Sequence, residues 1–494
     1  MIKDEKPTHS KQIKMKLPFA ILSTLAIQSS ASHTTRPRQG VFLNSNQLDN
    51  EIGVWESLDD GSLVWNGRYA TGGTGYPDPL DNRNLDDLGT SNGVHYHVWN
   101  QAQWLLAVNA GGPEGNSSLT IFQVQPGLEL IRKDVVPLNG TFACTVAGHG
   151  DRACAMTCAL NVTLECFKIS PAGKLSPEFE HDFQADLPIP EGRPNRVSAA
   201  LGPGNVLFSP DGDQIGVVMK GSARLTQPHP HRAGFFSFPI SARIGQDSGY
   251  GPPSFLELPN EIIPFAFVWR RGVNSNKPIA FTVNIAGASQ DYPECDETLT
   301  CYSSVTSIAT DSTNANNVSL SIVQDAPLNV IDGCWVEYRA NHIYTGNFFS
   351  DSITVAAVTN EGAIEVERTV PIGIDTVPND VVTTGPKLDG SVYLYSENQG
   401  LGDTKLQSLG EIGVHRVLTD GRVQVLPGAP IPSGLTPDAW VGNNGIAATS
   451  VSEQGLFDLY GFEMVAQEET TSSAAVAVSS VVALGMALLG LMAH

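Results

Sequence analysis

Four well-separated stretches of this chain are written to one pattern, an apolar run that gives out at an Asn: WLLAVNAGG (104–112), PIAFTVNIAG (278–287), HIYTGNFFSD (342–351) and SVYLYSENQG (391–400), ending at Asn109, Asn284, Asn347 and Asn398. A supersecondary unit repeated in this way cannot bury its apolar face alone and must stack against its own copies. After the first of these runs come SLTIFQV (118–124) and LELIRKDVV (128–136). The runs are rich in β-branched and aromatic residues and are separated by Gly, Asn, Asp and Pro. Between about 40 and 450 no long amphipathic helical pattern appears, so the chain reads as all-β. Four strands joined by short reversals make a propeller blade.

Further units begin near Thr141, Asn205, Ile262, Ile331 and Pro378. The first unit is incomplete, because VFLNSN, NEIGVWES and SLVWNGRYATGG supply three strands without an innermost partner. DAWVGNNGIAAT (438–449) is the expected donor from the far end of the chain. Such donation closes the ring and removes the open edge. The expected fold is a seven-bladed β-propeller of four-stranded antiparallel blades over residues 40–462, with six or eight blades as the competing counts. Insertions are expected between second and third strands at KGSARLTQPHPHRAG (220–234) and IAGASQDYPECDETLTC (285–301).

RYATGGTG (68–75), WLLAVNAG (104–111), VLFSPDG (206–212), IIPFAFVWRRG (262–272), GCWVEYRANHIYTGNFFSDSITVAAV (333–358) and GVHRVLTDGRVQVLPG (413–428) resemble, in order, segments of the lactonase-like seven-bladed β-propellers. That family includes 6-phosphogluconolactonase and carboxymuconate-cyclising enzymes. The units are also similar to the YVTN-type repeats of surface-layer proteins, which are extracellular and not known as enzymes as a class. These motifs are strand and turn grammar, and fold alone does not choose a reaction.

The resemblance implies lactone chemistry at the channel mouth, with His, Arg and Glu side chains and a His just ahead of a central inner strand. This chain departs from that pattern: EGRPNRVSAALG (191–202) carries Glu191, Arg193 and Arg196 and no His, while His229, His231 and Arg232 follow in the next insertion. Ring opening or closing of a lactone builds negative charge on the acyl oxygen and needs cationic or N–H donors and a base. Arg193, Arg196 and Arg232 are the candidate donors, and His229, His231 or Glu191 the candidate base. The alternative is that all six are solvated loop residues. Asn109, Asn284, Asn347 and Asn398 also carry two readings: turn residues that bond backbone and tolerate left-handed φ, or substrate-binding groups at one mouth of the channel.

No G-x-S-x-G nucleophile elbow or HExxH zinc helix occurs, and DNRNLDDLGTSN (81–92) lacks the Gly and terminal Glu of an EF-hand. Neither a metal nor a cofactor is expected. With 51 acidic against 29 basic residues and a net charge of −22, and no basic patch interleaved with aromatics, nucleic acid is excluded as a partner. A small-molecule lactone or a glycan is the expected ligand, and the protein is expected to be monomeric.

Both termini carry processing patterns. Five lysines in residues 1–16, the apolar LPFAILSTLAI (17–27) and the small residues QSSAS read as a secretory signal peptide over 1–32. At the other end a polar stalk (463–473) leads into a hydrophobic tail (474–494). It reads as a GPI-attachment signal with Ser472 as the attachment site, a single membrane-spanning helix being the alternative. The protein is thus expected on the extracellular face of the cell membrane, its only membrane contact being the anchor. Sequons at Asn116, Asn139, Asn161 and Asn317 accord with the secretory route. That compartment favours disulfides. Turns near His149-Gly150 and Asn161-Val162 would pair Cys144 with Cys154 and Cys158 with Cys166, and Cys295 with Cys301 would close an insertion. Cys334 remains as a buried thiol.

Overall fold

The computed structural model describes residues 38–75, 90–112, 116–158, 162–183, 202–220, 233–241, 249–258, 263–271, 277–285, 303–314, 317–373, 376, 378–387, 389–398, 411–432 and 445–449. Its strands form seven antiparallel sheets, each a blade; in blades 2 to 7 the first strand is innermost. Blade 2 comprises Val94–Trp99, Ala102–Asn109, Ser118–Val124 and Leu130–Pro137. Blade 3 comprises Ala143–His149, Arg152–Thr157, Thr163–Ile169 and Leu175–Asp182. The inner strands of blades 4 to 7 begin at Gly202, Ile263, Gly333 and Pro378, within three residues of the unit starts read from sequence. In blades 4 and 7 the outermost strand is split into two short pieces.

Blade 1 takes its second, third and outermost strands from Gln39–Asn44, Glu51–Ser57 and Leu63–Ala70, and its innermost from Ile446–Ala448. The closing register is Val41↔Ala448, Phe42↔Ala447 and Leu43↔Ile446, as the incomplete first unit requires. Because strand side chains alternate, Val41, Leu43, Ile446 and Ala448 pack toward Tyr393, Tyr395, Ile412 and Val414 of blade 7. Phe42 and Ala447 pack toward Val94, Tyr96 and Leu105 of blade 2. Seven apolar clusters, one for each junction between neighbouring blades, hold the ring.

The two ends of the ring differ. Several of the 1–2 and 3–4 strand pairs are joined by tight turns at one end, such as Asn100-Gln101, Ala340-Asn341 and those at Gly61, Gly173, Gly362 and Gly421. The 2–3 and blade-to-blade connections stand at the other end, here called the rim. Five inner strands also carry a β-bulge just inside the rim, at Ala143/Thr145, Pro203/Asn205, Pro264/Ala266, Gly333/Trp335 and Pro378/Asp380. Bulges of this kind twist a strand and re-aim its side chains.

The disulfides correct the expected pairing. Cys144 bonds Cys158 and Cys154 bonds Cys166. The first hairpin of blade 3 pairs His149 with Arg152, which puts Ala147, not Cys144, opposite Cys154. Cys154 instead faces Cys166 directly across the second and third strands, with Cα atoms 4.0 Å apart. Cys144 is the bulge residue at the rim, where Cys158 N donates to Phe142 O. Cys334 is buried and lies outside both bridges; Cys295 and Cys301 lie outside the described residues. Asn116 and Asn139 are exposed, Asn317 begins the outermost strand of blade 5, and Asn161 lies outside the described residues.

Candidate functional site at the rim of the channel

Residues Thr90–Asn92, which lead into the innermost strand of blade 2, reach four other blades. Thr90 Oγ1 donates to Cys144 O of blade 3 at 2.7 Å, and Thr90 O accepts from Trp335 Nε1 of blade 6 at 3.2 Å. Ser91 N donates to Gly204 O of blade 4 at 3.0 Å, and Ser91 Oγ donates to Asp380 Oδ1 of blade 7 at 3.1 Å. A segment bonded to blades 3, 4, 6 and 7 crosses the axis, so this short stretch bridges the channel inside the rim. Asn92 adopts φ 61°, a left-handed conformation that Asn tolerates.

Asp380 is the hub of this bridge. Its carboxylate accepts from Ser91 Oγ, from the amides of Asn92 (3.3 Å) and Val381 (2.9 Å), and from Ile446 N at the start of the closing strand (3.4 Å). Burial pushes its pKa up to about 7 against the opposing effect of those donors. On the inner strand of blade 6, Glu337 accepts from Thr383 Oγ1 at 3.0 Å. Burial raises it to about 8; Thr383 and Arg339 oppose the rise, and the nearby Asp380 adds to it. Glu397 completes the group by accepting Gly445 N at 3.1 Å. Carboxyl groups that titrate near neutrality suit general acid–base work. Around the ring, Lys220 is buried with its Nζ 4.5 Å from the Phe265 ring centre, and Phe265 packs edge-on against Trp335. The imidazoles of His95 and His97 are kept neutral, with pKa values lowered by burial to about 4 and about 3.

Glu191, Arg193 and Arg196 lie outside the described residues, in the connection that ends at Gly202; His229, His231 and Arg232 lie outside them too, in the connection that leaves from Lys220. Gly202 and Lys220 are direct cross-strand partners, and Ser91 N bonds Gly204 O two residues further on. Three connections, 76–89, 184–201 and 221–232, are therefore rooted at one place on the rim.

The four Asn residues also stand at the rim end, on the second strands of blades 2, 5, 6 and 7, but in extended backbone and buried inside the blades. Asn347 Nδ2 donates to Ser352 Oγ and Thr354 Oγ1, and its Oδ1 accepts from Thr345. Asn284 and Asn109 donate to the corresponding Ser304 and Thr306, and Ser118 and Thr120. Asn109 also accepts from Asn50 and Thr71 of blade 1. Asn398 sits against Gly413, where a Cβ would come within 3.0 Å of its amide. In blades 2, 5 and 6 the recurrent Asn thus clamps second strand to third through hydroxyl side chains. Sequence reasoning missed Asp380, Glu337 and the Thr90–Asn92 bridge. The one available signal was a carboxylate inside each of the apolar runs PNDVVT and CWVEY, since buried acids are rare without partners.

No known sequence family matches the chain, and no curated protein is similar to it in sequence. Solved structures do match in fold. A putative 6-phosphogluconolactonase from Bacteroides uniformis superposes with a TM-score of 0.55 at 14% identity, covering 84% of this chain and 100% of that one. A periplasmic gluconolactonase from Pseudomonas aeruginosa gives 0.55 at 14%, covering 84% and 99%. A putative 6-phosphogluconolactonase from Bacteroides fragilis gives 0.54 at 13%, covering 84% and 99%. The fold is that of the lactonase-like seven-bladed propellers.

Proposed function

We propose that this chain is an extracellular, membrane-anchored lactonase-like propeller that hydrolyses or isomerises a lactone or related sugar acid at the rim of its channel. The observation that carries this reading is the common root of three connections at Gly202, Lys220 and Ser91, beside a carboxyl hub at Asp380. The connections rooted there carry the candidate donors Arg193, Arg196 and Arg232 and the candidate bases Glu191, His229 and His231. In the reaction, the cationic donors stabilise the acyl oxyanion while a base activates water or moves the ring proton. The two disulfides fit an extracellular protein, and Ser472 is the proposed lipid attachment site.

A panel of aldonolactones and muconolactones assayed with the purified protein tests the activity. Double substitution Arg193→Ala/Arg196→Ala is expected to abolish turnover without changing the thermal midpoint, and unaffected turnover removes both arginines from the mechanism. The bridge across the axis at Thr90–Asn92 favours a second reading, a non-catalytic surface propeller whose rim binds a glycan or protein partner. Selective retention on a glycan array, with no lactone turned over, would support it.

A further inference from the structure

Two imidazoles on the innermost strand of blade 2 take no part in the bridge at the rim. His95 and His97 stand two apart on Val94–Trp99 and therefore share a face of the strand. Val94, Tyr96 and Val98 take the other face, toward blade 1, which aims both rings at blade 3. Their centres lie 6.3 Å apart. Gly148 on the facing strand makes room for them, since a Cβ there would come within 2.5 Å of His97 Nδ1.

This junction also holds buried nitrogens that make no hydrogen bond. Both ring nitrogens of His97 are in that state, and so is Nε1 of Trp104, its direct cross-strand neighbour. Such atoms are costly to bury alone, and a buried Trp N–H normally finds an acceptor. Carbonyls of blade 3 stand behind the rings, Gly148 favouring a proton on one nitrogen of His95 and Gly150 one on His97. A backbone carbonyl so placed fixes the tautomer of a metal-binding imidazole and leaves its other nitrogen for the ion. Burial keeps both rings neutral at pH 7, so no second proton competes for that nitrogen. A ring bound through nitrogen has its centre roughly 3.2 Å from the metal, so two rings sharing one ion stand about 5 to 6.4 Å apart. The observed spacing falls within that range. No third His, Cys, Asp or Glu joins them among the described residues, which leaves the remaining positions to water, with Trp104 Nε1 as the neighbouring donor. Imidazole ligands suit zinc and copper rather than calcium or magnesium.

We propose that His95 and His97 together bind one divalent zinc or copper ion between the inner strands of blades 2 and 3. Calorimetric titration of the full chain with Zn²⁺ in a non-coordinating buffer tests this against His95→Gln and His97→Gln. One ion per chain is expected for the parent, with binding at least tenfold weaker in either variant. His149→Gln should bind as the parent does, because that ring turns to blade 4 against Phe208 and Gly212. Binding that survives both substitutions, or no binding by the parent, overturns the proposal. If the variants fail to fold, the parent chain decides: X-ray absorption of the zinc-loaded protein should show two imidazole ligands, and hydrogen exchange in 94–99 and 143–150 should slow several-fold on adding Zn²⁺. Fewer than two imidazoles, or unchanged exchange there, overturns it.

Discussion

At the scale of single residues, polar groups inside the blades decide what can be changed. Asn347 is fully buried and makes three side-chain hydrogen bonds, two across to Ser352 and Thr354 on the next strand and one with Thr345 on its own. Asn347→Ala orphans hydroxyls on both sides and should cost about 2 kcal/mol, read as a lower denaturant midpoint. The covalent clamps are tested by non-reducing peptide mapping, which should recover Cys144–Cys158 and Cys154–Cys166. Removing the second bridge should cost roughly 2–4 kcal/mol. Glu337 titrates from 4.5 in a free chain to about 8 here. The folded state therefore keeps a proton that the unfolded chain releases, and this contribution is full below pH 4.5 and is lost as pH rises through 8. His97 works in the opposite sense, because burial lowers its pKa from 6.5 to about 3. Its contribution is present above pH 6.5 and is lost as pH falls toward 3. Thermal midpoints across pH should show Glu337→Gln gaining on the parent at pH 9 and His97→Leu flattening the acid limb. The role of the recurrent Asn was only half legible in sequence. Its place at a strand end was visible, but the partner hydroxyls lie on the next strand, after a connection of variable length.

At the scale of strands, period-two alternation and turn residues were enough to find the units, because burial on alternate faces is written directly into strand composition. What they did not reveal is register. A two-residue turn at Gly150-Asp151 puts Cys154 opposite Ala147, and a bulge leaves Cys144 without a cross-strand partner; no local pattern announces a shift of that kind. The rim hub was illegible for a related reason: Asp380, Ser91 and Ile446 are far apart in sequence and meet only when the ring closes. The closing strand itself was legible as the missing member of the first unit. Ile446→Asp puts a carboxylate into the junction between blades 1 and 7, beside Asp380. It should destabilise by at least about 3 kcal/mol. Amide exchange should rise first in 39–44 and 446–448.

At the scale of the molecule, composition and repeat count were enough for the architecture, while the reaction stayed out of reach because the candidate side chains sit on connections that the repeat pattern does not constrain. The anchor is tested directly: phosphatidylinositol-specific phospholipase is expected to release the protein from intact membranes, and retention with an intact tail would make it a single-pass protein. The pairing of residues 41–43 with 446–448 also has a consequence for biosynthesis. Some 400 residues separate the two halves of that seam, so at synthesis rates of about 5–20 residues per second the first blade waits roughly 20–80 s for its inner strand. During that interval the edge at Val41–Leu43 is unpaired, and any newly made chain alongside presents the same edge. Ribosome pausing late in translation would lengthen the wait, and crowding of nascent chains would raise the yield of cross-paired aggregates. The final strand thus sets the period during which a chaperone must shield the first.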